Sequence, residues 1–285
     1  MKSMTADELR EYREKEHEKS YLLIDVRQPN EYEESHISGS IILPLNEFEE
    51  QVEELPEKNL IFYCRSGIRS KAAAITADFF NESKKDIYTL EGGILGWQGI
   101  TVTGLPCFKT FDLNKELHET LLDAINLEKG AFRFYEHILN HFDLDANFNK
   151  SPSNNGGDSM VEVIKNARDG ELGHAKLIYS HLKKILPNDQ VFSEFDTLYE
   201  KLKGDILEGG ATFDEMVKLI ENRTKDQNID ILEVAISMEY RAFDLYRVIS
   251  ERVDNGSLKD AFYSLSQAEK SHMDTLIKAL ERATS

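Results

Sequence analysis

The stretch AINLEKGAFRFYEHI at residues 124–138 decides the fold of the larger part of this 285-residue chain, because the chain writes it twice. AISMEYRAFDLYRVI at residues 235–249 repeats it at seven positions: Ala124/Ala235, Ile125/Ile236, Glu128/Glu239, Ala131/Ala242, Phe132/Phe243, Tyr135/Tyr246 and Ile138/Ile249. Such self-similarity marks a duplicated supersecondary unit. Leu121, Ile125, Phe132 and Tyr135 fall at helical spacing, and Glu128 continues their apolar stripe rather than the polar face. Glu239 does the same among Leu232, Ile236, Phe243 and Tyr246. A carboxylate on a core-facing stripe is costly unless it is neutralised, paired or bound to a cation. Pairing with a Lys or Arg at a wet edge is the simplest escape, but the helix after each copy argues for a cation.

That helix carries a Glu-x-x-His on its own apolar stripe in both cases. Glu171 and His174 continue Met160, Ile164, Ala167, Ile178 and Ile185, and Glu269 and His272 continue Leu258, Phe262, Leu265, Leu276 and Ala279. Residues three apart share a helix face, so one helix can offer both groups to one ion. The expected helices span 113–139, 159–186 (ended by Pro187), the second copy of the repeat, and a fourth that starts after the Asn255-Gly256 turn with Ser257 as its cap. A polar loop at 151–159 and a long connection at 188–228, with two shorter helical patterns, separate them. Four carboxylates and two imidazoles converging in such a bundle suit two metal ions, iron or manganese rather than structural zinc. Glu14/His17, on a heavily charged helix, and Glu33/His36 have the same spacing, so the spacing alone carries little; the duplication carries the assignment.

Composition excludes several classes. The net charge of -18, with no basic stretch interleaved with aromatics, disfavours nucleic acid and anionic membrane as partners. No apolar run approaches a membrane span, and the charged start, with Thr5 and Glu8 forming a capping box, has no hydrophobic segment of a signal peptide; a cytoplasmic location is expected. The two cysteines, Cys64 and Cys107, cannot build a disulfide framework or a four-cysteine metal site.

The first hundred residues alternate strand and helix patterns: YLLIDVR at 21–27, IIL at 41–43, NLIFYC at 59–64 and IYTL at 87–90 read as strands, with helical patterns between them, one at 70–80. That alternation predicts a small parallel α/β sheet. Its chemistry concentrates in CRSGIRS at 64–70, where a strand ends on Cys64 and a helix begins. Loop amides converging on the sulfur, together with Arg65 and Arg69, lower a thiol's pKa and favour an anionic substrate. A buried structural cysteine is the plainer alternative.

Residues 1–106 resemble the rhodanese family, through IDVRQPNEYEESHISGSIILP at 24–44, the CRSGIRS loop and LEGGILGW at 90–97. The resemblance implies that Cys64 accepts a sulfane sulfur as a persulfide and passes it to a thiol. Amides of Arg65, Ser66, Gly67, Ile68, Arg69 and Ser70 would cradle it, with Arg65 and Arg69 holding thiosulfate or a small persulfide. Phosphatase-like relatives need a loop one residue longer. Asp25 and His36 fit the pattern as structural supports, and Cys107, in the linker at 104–112, is incidental rather than a resolving thiol.

Residues 112–285 resemble the rubrerythrin branch of the ferritin-like superfamily, through the two repeats, ELGHA at 171–175 and AEKSH at 268–272. The resemblance implies two iron ions and no organic cofactor, with Glu171 and Glu269 bridging and Glu128, Glu239, His174 and His272 as terminal ligands. Tyr135 and Tyr246 are either hydrogen-bond donors to ligands or packing aromatics. Two departures stand out: Ala242 occupies the place of an extra Glu in peroxide-reducing relatives, and no rubredoxin-like site is fused. Reducing equivalents are therefore expected from an external electron donor such as a rubredoxin, or else from sulfur chemistry on the attached domain; a homodimer is also expected. The implied function is a sulfurtransferase joined to a di-iron oxidoreductase acting on peroxide or dioxygen. The alternative is an iron-handling bundle without turnover, its rhodanese-like partner serving as a sulfur sensor or docking module.

Overall fold

The computed structural model describes residues 1–80, 85–97, 99, 101–102, 116–144, 158–185, 194–207, 209–222, 227–253 and 255–284. The chain divides into two compact units, Met1–Leu105 and Pro106–Ser285. Cys107, most of the linker and most of the 151–159 loop lie outside the described residues.

The first unit runs β1 (Lys2–Met4), α1 (Ala6–Lys15), β2 (Tyr21–Asp25), α2 (Pro29–Glu34), β3 (His36–Ile37), β4 (Ile41–Ile42), α3 (Phe48–Gln51), β5 (Asn59–Tyr63), α4 (Ile68–Phe79), β6 (Ile87–Leu90), α5 (Gly93–Gly96) and β7 (Thr101–Val102). Five strands form one parallel sheet in the order β1-β6-β5-β2-β4, and β3 pairs antiparallel with β7. The alternation of β2 and β5 sends Leu22, Ile24, Leu60 and Phe62 to one core and Tyr21, Leu23, Ile61 and Tyr63 to the other. A sheet buried on both faces is expected of parallel strands, and it fixes the strand ends that carry the loops.

The charged start is not helical throughout. Lys2–Met4 forms an edge strand in register with Tyr88–Leu90, and the helix begins only after the Thr5–Glu8 capping box. Met4 is buried while Lys2 and Ser3 stay exposed, so three residues suffice to cover the β6 edge.

The second unit is helical: α6 (Leu117–His141), α7 (Met160–Ile185), α8 (Phe195–Lys201), α9 (Phe213–Glu221), α10 (Gln227–Arg252) and α11 (Gly256–Thr284). The long helices α6, α7, α10 and α11 make a four-helix bundle, with α8 and α9 in the connection between its halves. Two apolar cores fill it. One gathers Phe134, Ile138, Met160, Ile164, Ile231, Leu232, Leu276 and Ala279; the other gathers Leu121, Ile125, Ile178, Leu182, Leu245, Ile249, Phe262 and Leu265. On every long helix the glutamate or Glu-x-x-His falls between these two sets of positions, so the polar cluster interrupts the core at mid-height.

The last helix departs from expectation at its start. Asn255, not Ser257, is the cap: its Oδ1 accepts from the amides of Ser257 and Leu258 at 3.1 and 3.2 Å. An Asn side chain one step before the helix reaches the free amides that a serine inside the first turn cannot.

Candidate functional site

Cys64 follows β5 directly, and the turn into α4 wraps round its sulfur. Gly67 adopts φ +97°, a conformation that side chains oppose, and its amide donates to Cys64 Sγ at 3.1 Å. Ser70 is fully buried and its hydroxyl donates to the Gly67 carbonyl at 3.1 Å, closing the loop. Burial pushes the Cys64 thiol up, but the Ser70 amide and hydroxyl and the amides of Ser66 and Gly67 outweigh it, and the pKa is lowered.

A second loop supports the first from outside. The amides of Ile94 and Leu95 donate to the carbonyls of Cys64 and Arg65 at 2.8 and 3.2 Å. Gly93 permits this, since a Cβ there would stand 2.2 Å from the Cys64 carbonyl oxygen. The EGG segment is thus a spacer that lets two backbones touch.

The two loop arginines have different surroundings. Arg65 is exposed, whereas Arg69 is held by Glu31 through contacts of 2.7 and 2.8 Å. The Arg69 guanidinium in turn holds the Glu31 carboxyl down at about 2. Arg69, expected to hold a donor, has its charge matched within the fold by Glu31, a residue that sequence reasoning missed. The α2 segment carrying Glu31 lies inside the quoted motif, so the signal was present without a stated partner. Asp25 is engaged by Arg27 at 2.7 to 3.0 Å, and His36 stacks on Tyr32 with its Nδ1 2.9 Å from the Tyr32 carbonyl oxygen. Both act as supports where β2 and α2 end.

In the bundle, the six Glu and His residues come together. His174 Nδ1 lies 3.3 Å from Glu128 Oε2, 3.5 Å from Glu171 Oε2 and 2.9 Å from Glu269 Oε1. His272 Nδ1 lies 3.4 Å from Glu239 Oε2, 3.7 Å from Glu171 Oε1 and 3.5 Å from Glu269 Oε2. Glu171 and Glu269 each turn one oxygen to each histidine, whereas Glu128 faces only His174 and Glu239 only His272. Both histidine rings stack, with centroids 5.0 Å apart.

Whether this cluster suits cations can be decided on its unmet polar atoms. Glu128 Oε2, both oxygens of Glu269, and Nδ1 of His174 and His272 are buried without a hydrogen bond of acceptable geometry. Burying one unpaired carboxylate costs several kcal/mol, and four lie here within 3% exposure. Four carboxylate charges are balanced by two divalent ions. Ligand atoms of Glu171, His174, Glu269 and His272 all fall within 4.8 Å of one another, close enough for two neighbouring ions with bonds of about 2.1 Å to reach all of them. The residues therefore fit a pair of metal ions, held by oxygen and imidazole donors of the kind iron and manganese accept.

Two tyrosines complete the cluster by crossing it. Tyr135 on α6 donates to Glu239 on α10, and Tyr246 on α10 donates to Glu128 on α6. Gly170, adjacent to Glu171, makes room for the His272 ring: a Cβ there would come within 2.4 Å of His272 Nε2. A glycine inside a helix costs about 0.5–1 kcal/mol relative to Ala, so its sequence signal was an unexplained defect in α7. Ala131, Met238 and Ala242 together with Glu171, Glu239 and Glu269 leave a void too small for a water molecule.

The fold and these sites define a parallel α/β unit with an activated cysteine, joined to a four-helix bundle with a carboxylate–histidine cluster. The family model described as rhodanese-like domain matches residues 5–100, and that described as rubrerythrin matches residues 230–285. The chain is 37% identical over 101 residues to the uncharacterized protein YqhL of Bacillus subtilis, covering 35% of this chain and 74% of that protein. It is 36% identical over 85 residues to the putative sulfur carrier protein YrkF of the same organism, covering 30% of this chain and 45% of that protein. A rhodanese-related protein from Thermoplasma volcanium matches with 31% identity and TM-score 0.31, covering 36% of this chain and 98% of that one. The chain belongs to the rhodanese-like family through its first unit and carries a rubrerythrin domain in its second. The rubrerythrin match spans α10 and α11; Glu128, Glu171 and His174 lie outside it, and the internal repeat and the distances above link them to it. Among the described residues no helix is long and apolar enough to cross a membrane.

Proposed function

We propose that this protein is a sulfurtransferase fused to a di-iron oxidoreductase. The observation that supports the first half is the Cys64 sulfur, bound by a loop amide and flanked by an exposed arginine. Cys64 attacks the outer sulfur of a donor, carries it as a persulfide stabilised by the Ser66, Gly67 and Ser70 amides, and yields it to a thiol. The similarity to a putative sulfur carrier agrees with that role.

The second half is supported by the way Glu171 and Glu269 each address both histidines. Glu128, Glu171, His174, Glu239, Glu269 and His272 would hold two iron ions, which when bound supply electrons for reducing peroxide or dioxygen. Around them, Tyr135 and Tyr246 orient the outer carboxylates through hydrogen bonds, and the two apolar cores exclude water. Electrons would come from an external donor such as a rubredoxin.

A second reading, iron handling without turnover, draws on Ala242, which gives the void an alanine where peroxide-reducing relatives have a glutamate. Anaerobic ferrous loading followed by stopped-flow peroxide separates the two. Rapid oxidation that an added reductant reverses supports the enzyme; slow, single-pass oxidation supports handling. For the sulfur half, Cys64→Ser is expected to abolish thiosulfate-to-cyanide transfer while leaving metal content unchanged, and retained transfer would refute the nucleophile.

A further inference from the structure

We propose that the Cys64 loop selects a singly charged sulfane-sulfur donor with an apolar body, an organic persulfide by chemical class, over the dianion thiosulfate. This rests on Cys64 as sulfur acceptor and names the donor class for that same site.

Charge supplies the first reason. Of the arginines at Cys64 and the neighbouring strand end, Arg69 is bound to Glu31 and Arg27 to Asp25. Arg65 alone has no carboxylate partner among the described residues. One free cation matches one negative charge, and the surplus of carboxylates over cations, -18 for the whole chain, repels a dianion twice as strongly as a monoanion.

The second reason is the surface around the cysteine. Ile68, in the loop itself, is 77% exposed, and Leu95, whose amide is bound to the Arg65 carbonyl, is 69% exposed. Among the described residues these are the second and third most exposed large apolar side chains, after Phe79 at 84%. Singly exposed apolar residues are ordinary, but these two stand on the two segments that frame one activated thiol. The backbone of both segments is fixed, that of Ile68 following the Gly67 turn and that of Leu95 bonded to the Arg65 carbonyl. An apolar donor body would cover both.

The chemistry is balanced without an added oxidant. The Cys64 thiolate forms a bond to the outer sulfur of R–S–S⁻, the donor S–S bond breaks, and RS⁻ leaves with the electron pair and takes a proton. The new Cys64 persulfide anion stays on the loop amides.

Three donors test this in the full-length protein: thiosulfate, methanethiosulfonate and benzenethiosulfonate, of which the last two are singly charged and lose a sulfinate. Single-turnover persulfide formation on Cys64 is followed by mass spectrometry, each rate being divided by that of N-acetylcysteine with the same donor. The expected order is benzenethiosulfonate, methanethiosulfonate, thiosulfate, with about tenfold or more between first and last. Ile68→Ser and Leu95→Ser should bring the benzene-to-methane ratio towards one, and Glu31→Gln, by releasing Arg69, should raise thiosulfate relative to methanethiosulfonate. Because each readout is a ratio within one variant, loss of folded protein cancels. Thiosulfate equal to or better than the other two, or ratios unmoved by these variants, would overturn the donor assignment and leave Cys64 as acceptor. No sulfur on Cys64 from any donor would overturn the transferase reading itself.

Discussion

Tyr246 on α10 donates its hydroxyl to Glu128 on α6, across the bundle, while Tyr135 on α6 donates to Glu239 on α10. Both rings are fully buried, so each hydroxyl needs this partner and each carboxylate is held by one oxygen, leaving the other for the cluster. Tyr135→Phe and Tyr246→Phe should each lower metal affinity about 10- to 100-fold, read by competition with a chelator. Each should also cost about 1–3 kcal/mol of stability by leaving a buried oxygen unpaired. Unchanged affinity would reduce the tyrosines to packing.

Two glycines in α7 make a paired test. Gly170→Ala would push a methyl group into the His272 ring, whereas a Cβ at Gly173 meets nothing within 4 Å. Gly170→Ala is expected to lower bound metal from two ions towards one per chain. Gly173→Ala should keep both ions and raise stability by about 0.5–1 kcal/mol, the ordinary gain of a helical alanine. Elemental analysis and thermal melts decide; equal metal content in the two variants would sink the positioning role of Gly170.

The four long helices were legible because a glutamate on an apolar stripe is conspicuous, and because the repeat wrote the same anomaly twice. The α/β sheet was legible from buried runs ending in glycine-bearing turns. What escaped has a common cause: it depends on partners distant in the chain. The Lys2–Met4 strand exists only because β6 offers an edge 86 positions later, as Lys2 opposite Tyr88. Arg69 looked like a free cation because Glu31, 38 residues earlier, carried no mark of its partner. The crossing of Tyr135 and Tyr246 required knowing that α6 and α10 face each other at that height. Capping at Asn255 is the exception, missed for a local reason: Asn255 and Ser257 flank Gly256 as competing caps, and geometry chooses.

The Cys64 thiol should react as a shifted group. Its pKa lies below the ordinary thiol value, since burial, which raises it, is outweighed by the Ser70, Ser66 and Gly67 amides and the Ser70 hydroxyl. The rate of alkylation by iodoacetamide should therefore reach half its plateau at a lower pH than for a free cysteine. Ser70→Ala should move that midpoint upward, because the hydroxyl that closes the loop is lost. As an acid with a depressed folded pKa, Cys64 contributes stability that is present at high pH and disappears as pH falls through its folded value. A midpoint at or above that of free cysteine would contradict the loop's role.

Metal loading should expel protons. Without ions, His174 and His272 are raised, although burial alone would lower both. Glu269, Glu128 and Glu171 raise His174, and Glu239 and Glu269 raise His272, to about 10. An ion bound at a ring nitrogen requires that nitrogen's proton to leave, and the raised Glu171 and Glu239 carboxyls must also give up theirs, so filling the site at pH 7 should release more than two protons per chain, measurable by calorimetry in buffers of different ionisation enthalpy. The same shifts set the stability of the ion-free protein. Raised histidines contribute in full below their ordinary value of 6.5, and for His272 that contribution is gone once pH passes about 10. Burial and neighbouring carboxylates also raise Glu171, and burial raises Glu239 to about 7, so both cost stability as pH climbs above 4.5. Both effects have one sign: the melting temperature of chelator-treated protein should fall between pH 6 and pH 9, and added ferrous or manganous ion should flatten that slope. A slope that is the same with and without ions would mean that the cluster does not bind them where its unpaired atoms converge.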